Sequence, residues 1–221
     1  MAKRIKLAIA TVLVSMFLAS PAMSQPAAIH LPADTDLAAH LKELEGNPAQ
    51  TEAMHKIGRK VAAVCAYCHG DGGNSLKPDI PNLAGQNPAY LLKQMHQFTT
   101  GERRNEFMQG LIKALKPEEK IGMVIFYSGQ EVTHKPATHA ALVSKGQEYY
   151  SKTCFRCHGE QGRGNEGFAR IAGQQADYLT LTLKRYRDGS SVRKNSLMAA
   201  NTRLMSDEDI AAVVAYVSSM K

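Results

Sequence analysis

The 221-residue chain has four cysteines, all in two copies of one pentapeptide. The first copy is Cys65-Ala66-Tyr67-Cys68-His69 and the second is Cys154-Phe155-Arg156-Cys157-His158. Two thiols three residues apart can reach the two vinyl groups on one edge of a haem and form thioethers. The next residue then lies under the iron, where its imidazole becomes the proximal ligand. Two disulfides would be the default for four cysteines in an exported chain, but both pairs carry the following histidine. A zinc site built from four thiolates is the other competitor. It gives neither histidine a role and needs ligand pairs 89 residues apart. The expected cofactors are therefore two covalently bound haem c groups, held by Cys65 and Cys68 and by Cys154 and Cys157, with His69 and His158 as iron ligands.

A six-coordinate haem needs a sixth ligand, and methionine is the usual partner of histidine in cytochromes c. Ten methionines are available. Met108 and Met198 occupy matching places in the two halves, eight or nine residues before the start of the last helix of each half. Both follow a polar loop, Arg103-Arg104-Asn105 in one case and Arg193-Lys194-Asn195 in the other. A repeated ligand predicts such a pair, so Met108 and Met198 are the expected axial ligands, in loops. Met95, Met123, Met205 and Met220 have no methionine counterpart and read as packing residues.

The elements that position these groups are themselves repeated. Gly70 matches Gly159, and Leu83-Ala84-Gly85-Gln86 matches Ile171-Ala172-Gly173-Gln174. Tyr90-Leu91 matches Tyr178-Leu179, and Gly101 matches Gly189. Two copies of one domain explain a constant offset of this kind. Each copy reads as mostly helical, with a helix before the cysteine motif, a Gly-rich loop after it, an amphipathic helix and a final apolar helix. Ser206-Asp207-Glu208-Asp209 reads as a capping box and Pro117 as a first-turn proline. The polar stretch around Pro136 reads as a linker. The expected divisions are a signal peptide at 1–24, an N-terminal extension at 25–54, domains at 55–130 and 140–221, and a linker at 131–139.

The signal reading rests on Lys3, Arg4 and Lys6, an apolar run at 7–19 and small residues after it. That run is too short to span a bilayer comfortably. The segment carries three of the 27 basic side chains and none of the 20 acidic ones, so the formal charge of the rest falls from +7 to about +4. No dense basic patch points to nucleic acid. The extension shows one candidate helix at 36–44 and no chemistry, and His30, His40 and His55 read as solvated side chains.

With both Cys-x-x-Cys-His-Gly units, the Leu/Ile-Ala-Gly-Gln segments, the Tyr-Leu helices and the late methionines in place, residues 55–220 resemble cytochrome c4. The resemblance implies an all-α fold of two tandem class I cytochrome c domains related by a pseudo-twofold axis, with the haem propionate edges meeting across the interface. It implies periplasmic electron transfer from a donor such as a quinol-oxidising complex to an acceptor such as a terminal oxidase, with association at the inner-membrane surface. It also implies that the carbonyl of Pro81 holds His69, with Ala169 in that place in the second domain. Gly146 and Tyr150 match the family's Gly-x-x-x-aromatic pattern. An offset of 89 puts Ile57 and Val61 opposite them, so the first domain's helix packing is expected to differ. The alternative function is a cytochrome subunit of a specific dehydrogenase complex oxidising a sulfur compound or an alcohol. A dihaem enzyme needs an open iron position, and paired methionines argue for a carrier instead.

Overall fold

The computed structural model describes residues 29–165, 167–190, 192–193 and 196–221. The expected signal segment at 1–24 lies outside the described residues. Among these the chain forms ten α-helices and no strand: α1 (Leu37–Glu45), α2 (Pro48–His69), α3 (Pro88–Thr100), α4 (Glu106–Ala114), α5 (Pro117–Ser128), α6 (Val143–Lys152), α7 (Phe155–His158), α8 (Ala176–Arg187), α9 (Ser196–Thr202) and α10 (Asp207–Ser219). Local chemistry sets many of the ends. The Asp36 carboxylate caps α1 by accepting from the Ala38 and Ala39 amides. Asn47 and Pro48 start α2, with the Gln50 amide donating to Asn47 Oδ1 at 3.2 Å. Ser206 and Asp209 complete the capping box of α10.

Each half is built on one close helix crossing. α2 meets α5 where Gly58 faces Gly122, and a Cβ on Gly58 would lie 1.9 Å from the Gly122 carbonyl oxygen. α6 meets α10 where Gly146 faces Ala212, and a Cβ on Gly146 would lie 1.9 Å from the Ala212 oxygen. The two crossings are the same device. The residue equivalent to Gly146 is therefore Gly58 and not Ile57, which corrects the expectation at the glycine, while Ala62 stands where the second half has Tyr150, so the packing differs at the aromatic as expected. The slip has a physical origin. Seven residues separate Gly58 from Cys65, whereas eight separate Gly146 from Cys154. One extra residue would turn the motif by about 100° on an unbroken helix. The second half absorbs it by ending α6 at Thr153 (φ −122°, ψ −54°) and restarting at α7, whereas α2 runs unbroken into its motif.

Two cores follow from these crossings. The first gathers Leu91, Met95, Phe98, Ile112, Met123, Val124, Phe126 and Tyr127. The second gathers Tyr150, Leu179, Met205, Ile210, Val213, Val214 and Val217. A third, small core belongs to the extension: Leu44, buried with Met54 and Ile121, draws in Ile29, Leu31, Leu37 and Leu41. Burying one such leucine is worth about 1.5–3 kcal/mol, so the segment is part of the folded body. α2 itself begins at Pro48 and passes through positions 54 and 55 without interruption. The three histidines are not simply solvated. His30 Nδ1 lies 3.1 Å from Glu118 Oε1, and Glu118 also accepts the Leu31 amide. His40 Nε2 is buried without a hydrogen-bond partner among the described residues, and the His55 ring packs on Phe126 at 5.4 Å.

The halves meet through their Ala-Gly-Gln segments. Gln86 Nε2 donates to the Arg170 carbonyl, and the Arg170 amide donates back to Gln86 Oε1. Gln174 Nε2 donates to the Asn82 carbonyl, and the Asn82 amide donates back to Gln174 Oε1. The two pairs are equivalent under exchange of the halves, which is a pseudo-twofold relation. The segment at 131–137 crosses this joint without helix, tied by His134 Nδ1 to the Met220 carbonyl at 2.9 Å and by Lys135 to Gln175 at 3.0 Å.

Candidate functional site

A cavity of about 990 Å3 runs between the halves, and Cys65, Cys68, His69, Met108, Cys154, Cys157, His158 and Met198 all line it. The thiols and imidazoles come from the C-terminal end of α2 and from the start and end of α7. Gly70 stops α2 with φ +77°, and a Cβ there would sit 1.9 Å from the Asn74 oxygen, so only glycine fits. Each imidazole is held the same way. His69 Nδ1 is 2.9 Å from the Pro81 carbonyl, and His158 Nδ1 is 2.9 Å from the Ala169 carbonyl. A carbonyl can only accept, so both rings carry the proton on Nδ1 and keep the lone pair on Nε2, the tautomer an iron ligand needs. Burial lowers both histidine pKa values, against the carbonyls, which raise them. Both rings are neutral at pH 7. Burial pushes the Cys65 thiol up and brings Cys154 up to about 11. Among the described residues, no three His, Cys, Asp or Glu side chains gather as a metal cluster.

Met108 and Met198 are half-buried, and Met108 packs against the first core. Neither lies in a loop. Met108 is in the first turn of α4, where Asn105 Oδ1 accepts its amide at 3.0 Å. Met198 is in α9. Asn105, one of the polar residues before Met108, caps a short helix, which a reading of polarity alone takes for loop. Met95, Met123 and Met205 belong to the buried cores.

These surroundings fit a haem. Leu91, Phe98, Ile112 and Val213 present an apolar wall for a macrocycle. Tyr127 Oη and Arg170 Nε, both on lining residues, are buried without hydrogen-bond partners among the described residues. Cys65 with Cys68, and Cys154 with Cys157, would hold the haem edges. The iron of such a group supplies one-electron redox chemistry. The chain contributes a neutral imidazole, a soft sulfur nearby and exclusion of water.

A second feature of the cavity was not legible as a site. Arg103 Nη1 donates to Gln94 Oε1 at 2.9 Å, and Arg103 Nη2 donates to the Tyr178 hydroxyl at 3.2 Å. Arg193 donates to the same two atoms, at 2.8 and 3.3 Å, and to the Tyr90 hydroxyl. Burial alone would raise the Tyr178 phenol, but the two guanidiniums outweigh it and bring it down to about 8. The signal in the sequence was the pairing of Arg103 with Arg193 and of Tyr90 with Tyr178 across the repeat.

The Cytochrome c family profile matches residues 143–221. Cytochrome c4 of Thiocapsa roseopersicina is 34% identical over 187 residues, covering 79% of this chain and 93% of that protein. Cytochrome c4 of Pseudomonas aeruginosa is 32% identical over 175 residues, covering 74% and 87%. The crystal structure of reduced recombinant cytochrome c4 from Pseudomonas stutzeri superposes with a TM-score of 0.69 at 29% identity, covering 75% of this chain and 98% of that one. A tandem all-α fold, two equivalent Cys-Cys-His sets on one cavity and this likeness over most of both chains lead to one conclusion: the chain belongs to the cytochrome c4 family, electron-transfer cytochromes that bear covalently attached haem c.

Proposed function

We propose that the chain carries two haem c groups and shuttles electrons in the periplasm between a donor such as a quinol-oxidising complex and an acceptor such as a terminal oxidase. Cys65 and Cys68 form the thioethers of one haem, with His69 and Met108 on its iron. Cys154 and Cys157 form those of the other, with His158 and Met198 on its iron. The haem-bearing domains are the halves at 55–130 and 140–221, joined by 131–139, with the described part of the extension, 29–54, packed on the first. The observation that carries this reading is the duplicate imidazole geometry, with Nδ1 of each ring 2.9 Å from a backbone carbonyl on a shared cavity. With both iron faces assigned to protein ligands, no substrate position is left open, so the protein is a carrier rather than an enzyme. Among the described residues no helix is long and apolar enough to cross a membrane.

The test is optical. Two haems per chain should survive denaturation, and the ferric protein should show the near-infrared band of His–Met ligation. Met108→Ala should remove about half of that band and Met198→Ala the other half. Full retention in either variant moves the ligand to another residue.

A second reading is a dedicated partner of a sulfur-oxidising dehydrogenase. A thiosulfate dehydrogenase electron acceptor of Stutzerimonas stutzeri is 30% identical over 207 residues, covering 87% of this chain and 95% of that protein. Reduction of the purified protein by a thiosulfate dehydrogenase with thiosulfate, much faster than by a quinol-oxidising complex, would favour it.

A further inference from the structure

Tyr127 is 1% exposed, and its hydroxyl is buried with no hydrogen-bond partner among the described residues. The ring sits on α5 in one core with Ala62, Met95 and Val124, and Cys65 packs against that core. Tyr127 and Cys65 both line the cavity. A stranded buried hydroxyl costs stability, and phenylalanine would fill the same space without that cost. Cys65 is the group that this hydroxyl feels. Burial raises the phenol most and the Cys65 thiol raises it further, while the hydroxyl lowers the thiol against the larger effect of burial. The two are neighbours with no hydrogen bond of ordinary geometry between them.

The second half has no such hydroxyl. The Gly85 amide donates to the Tyr127 carbonyl at 2.9 Å, and the Gly173 amide donates to the Val217 carbonyl at 3.0 Å. Phe126 faces Gly58 as Tyr216 faces Gly146, which gives the same register. Val217 is therefore the counterpart of Tyr127, and it lines the same cavity with hydrocarbon only. The buried tyrosine of the second core is Tyr150, and the Gly159 carbonyl already accepts its hydroxyl at 2.5 Å. Packing explains a ring in either half. It does not explain a stranded hydroxyl in one.

Cys65 changes character when it is joined to haem. Its S–H adds across a vinyl group, the sulfur bonding to one carbon and the proton going to the other, with no oxidant needed. A thioether sulfur has no proton left and can only accept. Of the two neighbours, Tyr127 is then the only donor. We propose that the Tyr127 hydroxyl donates a hydrogen bond to the Cys65 thioether sulfur and raises the potential of the first haem alone. The inference rests on the two-haem reading above. Oxidation adds positive charge at the iron, and the positive end of a hydroxyl dipole aimed at the haem edge disfavours it. Val217 gives the second haem no such dipole.

The experiment uses the mature dihaem protein and the variant Tyr127→Phe, with Tyr150→Phe as a control. Haem content is measured by the pyridine haemochrome method and the midpoints by spectroelectrochemical titration. The carbon–sulfur stretching bands are recorded by resonance Raman in H2O and in D2O. Met108→His identifies the first haem's step, because a histidine in place of methionine lowers the potential of its own haem. The expected result is two haems per chain and, in Tyr127→Phe, a downward shift of that step with the other unmoved. One carbon–sulfur band of the wild type moves on deuteration, and in Tyr127→Phe it does not. Tyr150→Phe lowers the Tm and leaves the first haem's step in place. An unmoved first step in folded Tyr127→Phe, or a fall of the other step or of both, overturns the proposal. So do wild-type carbon–sulfur bands blind to deuteration, which carry the test alone if Tyr127→Phe fails to fold. One haem per chain in the wild type overturns the reading beneath it.

Discussion

Gly146→Ala is the sharpest probe of the fold, because the side chain it adds has nowhere to go. Its Cβ would stand 1.9 Å from the Ala212 oxygen, 2.6 Å from the Ala212 carbonyl carbon and 2.9 Å from Tyr216 Cβ. Ordinary contact begins near 3.4 Å, so α6 and α10 must part by about 1.5 Å. Overpacking a core costs about 1–3 kcal/mol. The obstacle here is backbone that cannot rotate away, so the upper end applies. Alanine returns about 1 kcal/mol through its better helix propensity. The net loss is about 2 kcal/mol, a fall in Tm of about 4–8 °C for a chain of this length. Gly110→Ala is the control. Gly110 lies within α4, and its Cβ would meet no atom within 4 Å. There only the propensity gain remains, so the protein should be stabilised by up to about 1 kcal/mol. The assay is thermal unfolding by far-UV circular dichroism of the haem-loaded protein. If Gly146→Ala melts at or above the wild-type temperature, the close crossing is not what the geometry says it is.

Gln174→Ala strands the amide and carbonyl of Asn82, and Gln86→Ala those of Arg170. Each should cost about 2–4 kcal/mol in urea titrations. The double variant should cost less than the sum, since opening one clasp loosens the other; losses under about 0.5 kcal/mol would contradict the clasp. Burial tends to raise the Glu118 carboxyl, but hydrogen bonds from its own backbone amide, from His30 and from the Leu31 amide hold it below the usual carboxylate value. A depressed folded-state pKa gives stability that is present above the unfolded value and lost as pH falls through the folded one. Glu118→Gln should therefore destabilise the protein at neutral pH, and the difference should fade below the carboxylate range. A difference independent of pH would refute the charge assignment.

The chemistry was more legible than its setting. Cys65, Cys68, His69 and their counterparts stand out because spacing alone dictates what they can reach. Pro117 and Ser206 were readable because a helix start is a local event, whereas Asp36, read as the first residue of a helix, is its cap. The match between Gly58 and Gly146 was hidden by one inserted residue, which shifts the register upstream of Cys154 and leaves no mark in composition. Met108 was placed in a loop because a residue such as Asn105, which caps a short helix, is also one that makes turns; Met198 was placed by its match to Met108. The core under the extension needs Leu44 to find Met54 and Ile121, a contact with no signature in either segment. The arginine cluster assembles from four elements, and only the repeat hinted at it.

The glutamine clasp also bears on how the halves could become different. Gln86 and Gln174 bond to main-chain atoms, and every residue but proline offers the same amide and carbonyl. The clasp thus places almost no demand on the side chains at 82 and 170. One of these positions holds an asparagine turned inward to bond the Gly173 carbonyl, and the other an arginine on the cavity wall. A joint of this kind lets duplicated modules drift in charge and in cofactor environment while they stay locked together. It leaves the two Cys-Cys-His sites free to specialise while the halves stay joined.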